Sequence, residues 1–318
     1  MQTQLSFKQL VHADWSVHPA GRWRVAAKRI SPGGWRIAPA VPVGGVTDFL
    51  ARLQKEAGDG PTLLGVDLPI GAPKAWATQA GIQNFRTALS DFGRGRWSKF
   101  YEPATSKAEI GLFRPFYPLR PGGTSQNDLV AGLGLKDRDA LRRTCDFDVN
   151  GKRGACPLFW TLGGNQVGRA AGAFWRDVLG PALVADLVAL WPFDGALAAL
   201  AVASNLTVAE TYPAEVYRWF DLEIAKPKQS KRNLAHRQAD AAKLLAKGAS
   251  FGAAFSPDAE NQIRTGFPDG KDDAFDAMVG LLGLIAVVEG RRPEYAPAQG
   301  SVAATVEGWI LGRAPATA

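Results

Sequence analysis

Residues 277–288 carry no charge, and they follow directly on three acids in five positions, Asp272, Asp273 and Asp276, within KDDAFDAMVGLL (271–282). This segment constrains the fold more than any other. It is far shorter than the ~20 apolar residues of a membrane span, so it reads as a helix anchored in a protein core. The acids at its mouth have two readings. They suit the exposed N–H groups and the positive dipole end of a helix start. They also make half of a metal site whose other half must come from elsewhere in the chain.

Other segments supply candidates for that other half. LVHADW (10–15), WRVAAKRI (23–30) and WRIAPA (35–40) read as a meander of strands separated by turn-rich SVHPAGR and SPGG. Thr47 is the expected cap of a helix with Phe49, Leu50 and Leu53 on one face and Gly58 after it. TLLGVD (62–67) is a short apolar run of the kind buried on both faces of a sheet, expected parallel to the first strand. Beyond a region of weak periodicity, a helical segment is expected over 166–191, broken by Gly180-Pro181. LTVAE (206–210) is a further strand, PAEVYRWF (213–220) a helix with Pro213 in its first turn, and 233–247 a polar helix. The pattern predicts an α/β fold: a mixed five-stranded sheet flanked by helices, built from 1–90 and 195–318, with 91–194 as one compact insertion.

Composition narrows the class. The chain has 318 residues, 46% hydrophobic and 21% charged, which fits a globular protein. No membrane segment and no export signal is read in it. Two cysteines, Cys145 and Cys156, build neither a disulfide framework nor a four-cysteine zinc site, so a reducing cytoplasmic compartment is expected. The formal charge of +7 permits a polyanionic partner. Two runs concentrate it. Residues 226–237 hold five Lys and Arg side chains, with Lys231 and Arg232 at the centre. Arg94, Arg96 and Lys99 interleave with Trp97 and Tyr101. Either run is also what a solvated loop or helix face looks like.

The acids fall at equivalent topological places. Asp14 closes the first strand, Asp67 the fourth and Glu210 the fifth, while Asp273 and Asp276 share one face of the last helix. Ligands gather at the carboxyl ends of parallel strands. Several carboxylates brought together there repel, and Mg²⁺ or Mn²⁺, which prefer oxygen ligands, are the natural counter-charge. Asp272 is the expected simple N-cap. The loop GGNQVG (163–168) either receives a phosphate on its backbone N–H groups, with Asn165 or Gln166 facing the site, or is a packing turn; it lacks the lysine of a P-loop.

The strand order and the acidic opening of the last helix resemble the ribonuclease-H-like nucleases, and DAFDA (273–277) is similar to the final-helix motif of their Holliday-junction resolvases. The chain as a whole resembles the predicted-nuclease family called domain-of-unknown-function family 429. The resemblance rests on GVDLPIG (65–71), ACPLFWTLGGNQVG (155–168), LWPFDG (190–195), AETYPAEVYR (209–218), SKR (230–232), DDAFDA (272–277) and EGWILG (307–312). It implies a divalent-metal-dependent nuclease or phosphodiesterase using two ions, with Asp14, Asp67, Asp273 and Asp276 as metal ligands and Glu210 as a further catalytic acid. Lys231, Arg232, Arg94 and Arg96 would then contact a nucleic-acid or nucleotide phosphodiester, and Trp97 and Tyr101 could stack bases. The same fold class also houses phosphotransferases of the sugar-kinase and actin type, although WSVHP after Asp14 fits their phosphate hairpin badly. A non-catalytic binding protein is the third expectation.

Overall fold

Gln9–Asp14 (β1) is buried along its whole length, as a strand must be when sheet neighbours and helices cover it on every side. The computed structural model describes residues 5–30, 33–58, 60–147, 154–162 and 167–315. The chain forms two compact units, Met1–Asp67 with Ala196–Glu294, and Leu68–Gly195 with Tyr295–Ala318. No helix among the described residues is long and apolar enough to cross a membrane.

The first unit is α/β. Its strands are β1, β2 (Trp23–Arg29), β3 (Trp35–Ile37), β4 (Val41–Pro42), β5 (Thr62–Val66), β6 (Leu206–Glu210) and β7 (Ala253–Phe255). They run across the sheet in the order β6-β5-β1-β2-β3-β7, with β4 beside β2. β5 is parallel to both β1 and β6, while β2 is antiparallel to β1 and β3. The sheet is therefore mixed, as expected, but it exceeds the anticipated five strands. β4 and β7 have only two and three residues, too few for an alternating pattern to register.

Helices cover both faces of this sheet. They are α1 (Phe49–Ala57), α2 (Leu197–Ala203), α3 (Pro213–Trp219), α4 (Leu234–Ala239), α5 (Ala241–Ser250), α6 (Pro257–Thr265) and α7 (Lys271–Val288). Gln9 sends its amide to the carbonyl of Leu53 in α1, at 3.0 Å. His12 points the other way, against α7. A Cβ on Gly280 would stand 2.2 Å from the His12 ring, so glycine is what lets α7 lie directly on β1. Every residue of α7 from Ala274 to Val288 is buried. The uncharged run thus lies in the core that the sequence demands.

Four local expectations need correction. The N-cap of α1 is Asp48 in place of Thr47, and its side chain makes no capping bond. The N-cap of α7 is Gly270 and the helix starts at Lys271, which moves Asp272 into the first turn. The polar helix expected over 233–247 is two helices, α4 and α5, meeting at Asp240. That buried carboxylate turns away to accept the backbone N–H groups of Glu223 and Ile224, at 2.6 and 3.0 Å. In the second unit, Gly180-Pro181 does not break its helix in two. The chain widens instead into a π turn, Trp175–Leu179, where Gly180 donates to the Trp175 carbonyl before the helix resumes as Gly180–Val184. A wider turn accommodates a proline that has no N–H to give.

The units also divide earlier than the expected boundary at residue 90. From Leu68 the chain leaves the sheet and joins the C-terminal segment of the second unit. Ala72 donates to the Val306 carbonyl at 3.0 Å. Gly71 and Gly308 both have positive φ, 135° and 69°, and a Cβ on either would come within 1.9 Å of opposing backbone.

Candidate functional site

Strand register decides which acids can meet. β1 and β5 pair His12 with Gly65 and Ala13 with Val66, and the Asp67 amide donates to the Ala13 carbonyl at 3.0 Å. Side chains alternate along a strand, so Asp14 and Asp67 emerge on the same side as His12, toward α7. Asp276 comes to meet them from the second turn of α7. Asp14, Asp67 and Asp276 place carboxylate oxygens within 4.8 Å of one another. Asp14 and Asp276 are buried, whereas Asp67 is partly exposed and marks the mouth.

The electrostatics of this triad are unfavourable without a cation. At such separations each ionised pair costs about 3–4 kcal/mol at an effective dielectric near 20. The carboxyls respond by holding protons more tightly. Burial pushes Asp14 well above the usual carboxylate range, and the charges of Asp276 and Asp67 add to it. Burial, followed by Asp276, raises Asp67 to about 7. Asp276 is also raised by burial, against the opposing pull of Lys231.

Asp276 is engaged on both oxygens. The Tyr217 hydroxyl donates to Oδ1 and the Lys231 ammonium to Oδ2. Burial works to lower Lys231, but Asp276, Asp14 and Asp67 outweigh it and keep the ammonium charged. Burial and then Asp276 raise Tyr217 well above its ordinary value, so its proton stays on the phenol. The loop carrying Lys231 is held from behind. Buried Arg237 donates through Nη1 to the Lys231 carbonyl and through Nε to the Gly266 carbonyl, the latter at 2.8 Å.

Asp273 stands beside the triad and outside its 4.8 Å set. It shares a side-chain hydrogen bond with Asp14, and burial and Asp272 raise its pKa. Glu210 is buried at the end of β6. The register pairs it with Val66, and Val66 with Ala13, which puts it on the opposite pleat face from Asp14 and Asp67. It acts on Asp67 through space, as one of the charges that raise it.

The remaining predicted residues separate. Lys231 joins the acids, while Arg232 is exposed outside them. Asn165 and Gln166 lie outside the described residues. Arg94 and Arg96 are exposed in the second unit. Arg96 lies over the Trp97 and Phe113 rings at 5.2 Å each and lines a cavity of about 370 Å³ with Lys99 and Arg114. Trp97 is buried against Trp76, Phe92 and Phe100, so it serves packing and has no face for a stacked base.

Sequence reading missed Tyr217 and the support beneath the site. Tyr217 is buried in α3 next to Val216, where an aromatic reads as core packing, so nothing local marks it as a donor. His12 sits one pleat below Asp14 and shares a 2.8 Å hydrogen bond with Thr211 Oγ1. Burial lowers its pKa to about 3, so the ring is neutral packing and adds no charge to the site.

The donor set suits a hard divalent cation. It is all carboxylate oxygen, it is held at the carboxyl ends of parallel strands, and its charge exceeds what Lys231 supplies. It does not suit zinc, which favours nitrogen and sulfur ligands. No family model, no curated protein and no solved structure matches the chain.

Proposed function

We propose that the protein is a divalent-metal-dependent phosphodiester hydrolase of the ribonuclease-H-like kind, acting on a nucleic acid or a nucleotide-like phosphodiester. The observation that carries the reading is the convergence of Asp14, Asp67 and Asp276 oxygens within 4.8 Å at one end of the sheet. The resemblance of the chain to domain-of-unknown-function family 429 points the same way. Mg²⁺ or Mn²⁺ is the proposed cofactor, and when bound it would supply Lewis acidity toward a phosphodiester and a nucleophile at neutral pH.

The protein's own residues have distinct tasks in this reading. Asp14 and Asp67 are the principal ligands, because both emerge on the same pleat face and Asp67 is partly exposed. Asp273 stands beside them and adds negative charge to the mouth of the site. Tyr217 and Lys231 fix the Asp276 carboxylate. Exposed Lys228 and Arg232, on the same loop as Lys231, give a polyanion a positive approach. The two free cysteines, Cys145 and Cys156, fit the proposed cytoplasmic location.

The test is cleavage of single- and double-stranded DNA, RNA and a chromogenic phosphodiester in Mg²⁺ or Mn²⁺. Cleavage is expected with one of these substrates, abolished by chelation, and reduced more than about 100-fold in Asp14→Asn, a loss of several kcal/mol of charge stabilisation. Undiminished cleavage by Asp14→Asn would overturn the assignment.

A further inference from the structure

We infer that Lys231 is the built-in second cation of the carboxylate cluster, so that the centre takes one divalent ion per chain where the resemblance to the ribonuclease-H-like nucleases implies two. The inference rests on the metal-dependent reading above and changes its stoichiometry. A two-ion arrangement assigns Asp273 and Asp276 to an ion of their own. Both oxygens of Asp276 are already in use, however, Oδ1 by the Tyr217 hydroxyl and Oδ2 by the Lys231 ammonium. Asp273 lies outside the 4.8 Å set that Asp14, Asp67 and Asp276 form. Asp14 and Asp67 are the acids left to lead coordination, with Asp276 sharing what its two donors leave.

The lysine is placed by structure and does not arrive there as a wandering surface chain. Asn233 caps α4 by accepting from the Ala235 N–H at 2.9 Å, which fixes the end of its loop. Arg237, on that helix, is buried and ties the Lys231 carbonyl to the Gly266 carbonyl. Gly266 leads into α7, the helix that carries Asp276. One guanidinium thus holds the ammonium and the approach to its carboxylate in one frame, and Arg237 is the positioning residue for Lys231. Charge agrees with the count. Four carboxylates against one ammonium and one dication leave a single negative charge, and a second dication would turn the cluster positive.

The experiment is an Mn²⁺ titration of the full chain at pH 8, followed by calorimetry and by the electron paramagnetic resonance signal of free Mn²⁺. The wild type and Lys231→Arg are expected to bind one equivalent. Lys231→Met, which keeps the length and removes the charge, is expected to bind two. Two equivalents in the wild type, or one in Lys231→Met, overturns the inference and leaves the metal-dependent reading standing. No Mn²⁺ bound by the wild type at millimolar concentration overturns that reading and the inference with it. Should Lys231→Met fail to fold by thermal melting, two equivalents in the wild type or in Lys231→Arg still overturns the proposal, and one in each supports it.

Discussion

Each unit of this protein buries a group of charges, and the two groups are built on opposite plans. In the second unit, Arg143, Asp146 and Glu307 are all buried. Arg143 clamps Asp146 through Nη2 at 2.8 Å and Nε at 3.3 Å, and its own backbone N–H adds a third bond at 2.9 Å. Glu307 accepts from Thr144 at 2.7 Å and from the Lys74 backbone at 3.2 Å. Every carboxylate oxygen of that pair of acids has a donor. In the first unit, Asp14, Asp67 and Asp276 crowd together around one lysine, and among the described residues neither Asp14 nor Asp67 has an ion-pair partner. A closed cluster is architecture. An open one, with charge left over and one acid partly exposed, is what the proposed cation would answer.

The largest effect should come from opening the closed cluster. Arg143→Ala leaves Asp146 buried without its guanidinium, and removing one member of such a pair costs about 3–5 kcal/mol. Urea denaturation should show that loss. A change below about 1 kcal/mol would mean that the second cluster is no more committed than the first.

The next effect is the dependence on pH that the open cluster creates. Asp67 titrates at about 7 in the folded chain, against 3.8 for an unperturbed group. Between those values the folded protein keeps a proton that the unfolded chain has released, so stability falls as pH rises through this window. Asp14, Asp273 and Asp276 are raised as well and act in the same direction. Buried His12, lowered to about 3, works the other way below its ordinary 6.5, so the melting temperature of the metal-free protein should drop between about pH 6.5 and pH 8. Mn²⁺ should reverse the drop, because it binds the deprotonated acids. A metal-free melting curve that is flat or rising over this range contradicts the open cluster.

These contrasts show what the sequence could and could not convey. Asp14, Asp67 and Asp276 were legible because each ends a strand or opens a helix, and a parallel sheet brings such positions to one edge. Glu210 ends a strand equally well, yet its register turns it to the other face; a shift of one residue in phase decides this, and phase is set by pairing across the sheet. Lys231 was legible as a cation but not as the partner of Asp276, since a loop residue 45 positions away in sequence is placed only by tertiary contacts such as those of Arg237. The long strands and α7 announce themselves by apolar runs. β4 and β7 are too short to do so, and the junction at Asp240 depends on two N–H groups from a distant turn.

The smallest effect separates the two clusters by sign. Asp67→Asn removes one charge from the open cluster and keeps its shape. At pH 8, with no metal present, Asp67 is ionised and repelled by its neighbours, so the variant should be more stable than the parent by about 1 kcal/mol, a fraction of one close-pair repulsion screened at the partly exposed mouth. At pH 5 most of the Asp67 carboxyl in the parent already carries a proton, and the gain should vanish. The same variant should bind Mn²⁺ more weakly, because a proposed principal ligand has lost its charge. Removing an acid is thus stabilising in the first unit, whereas removing a charge from the Arg143 cluster is costly. If Asp67→Asn instead destabilises the metal-free protein at pH 8, Lys231 already balances the site, and the excess negative charge on which the metal argument depends is not there.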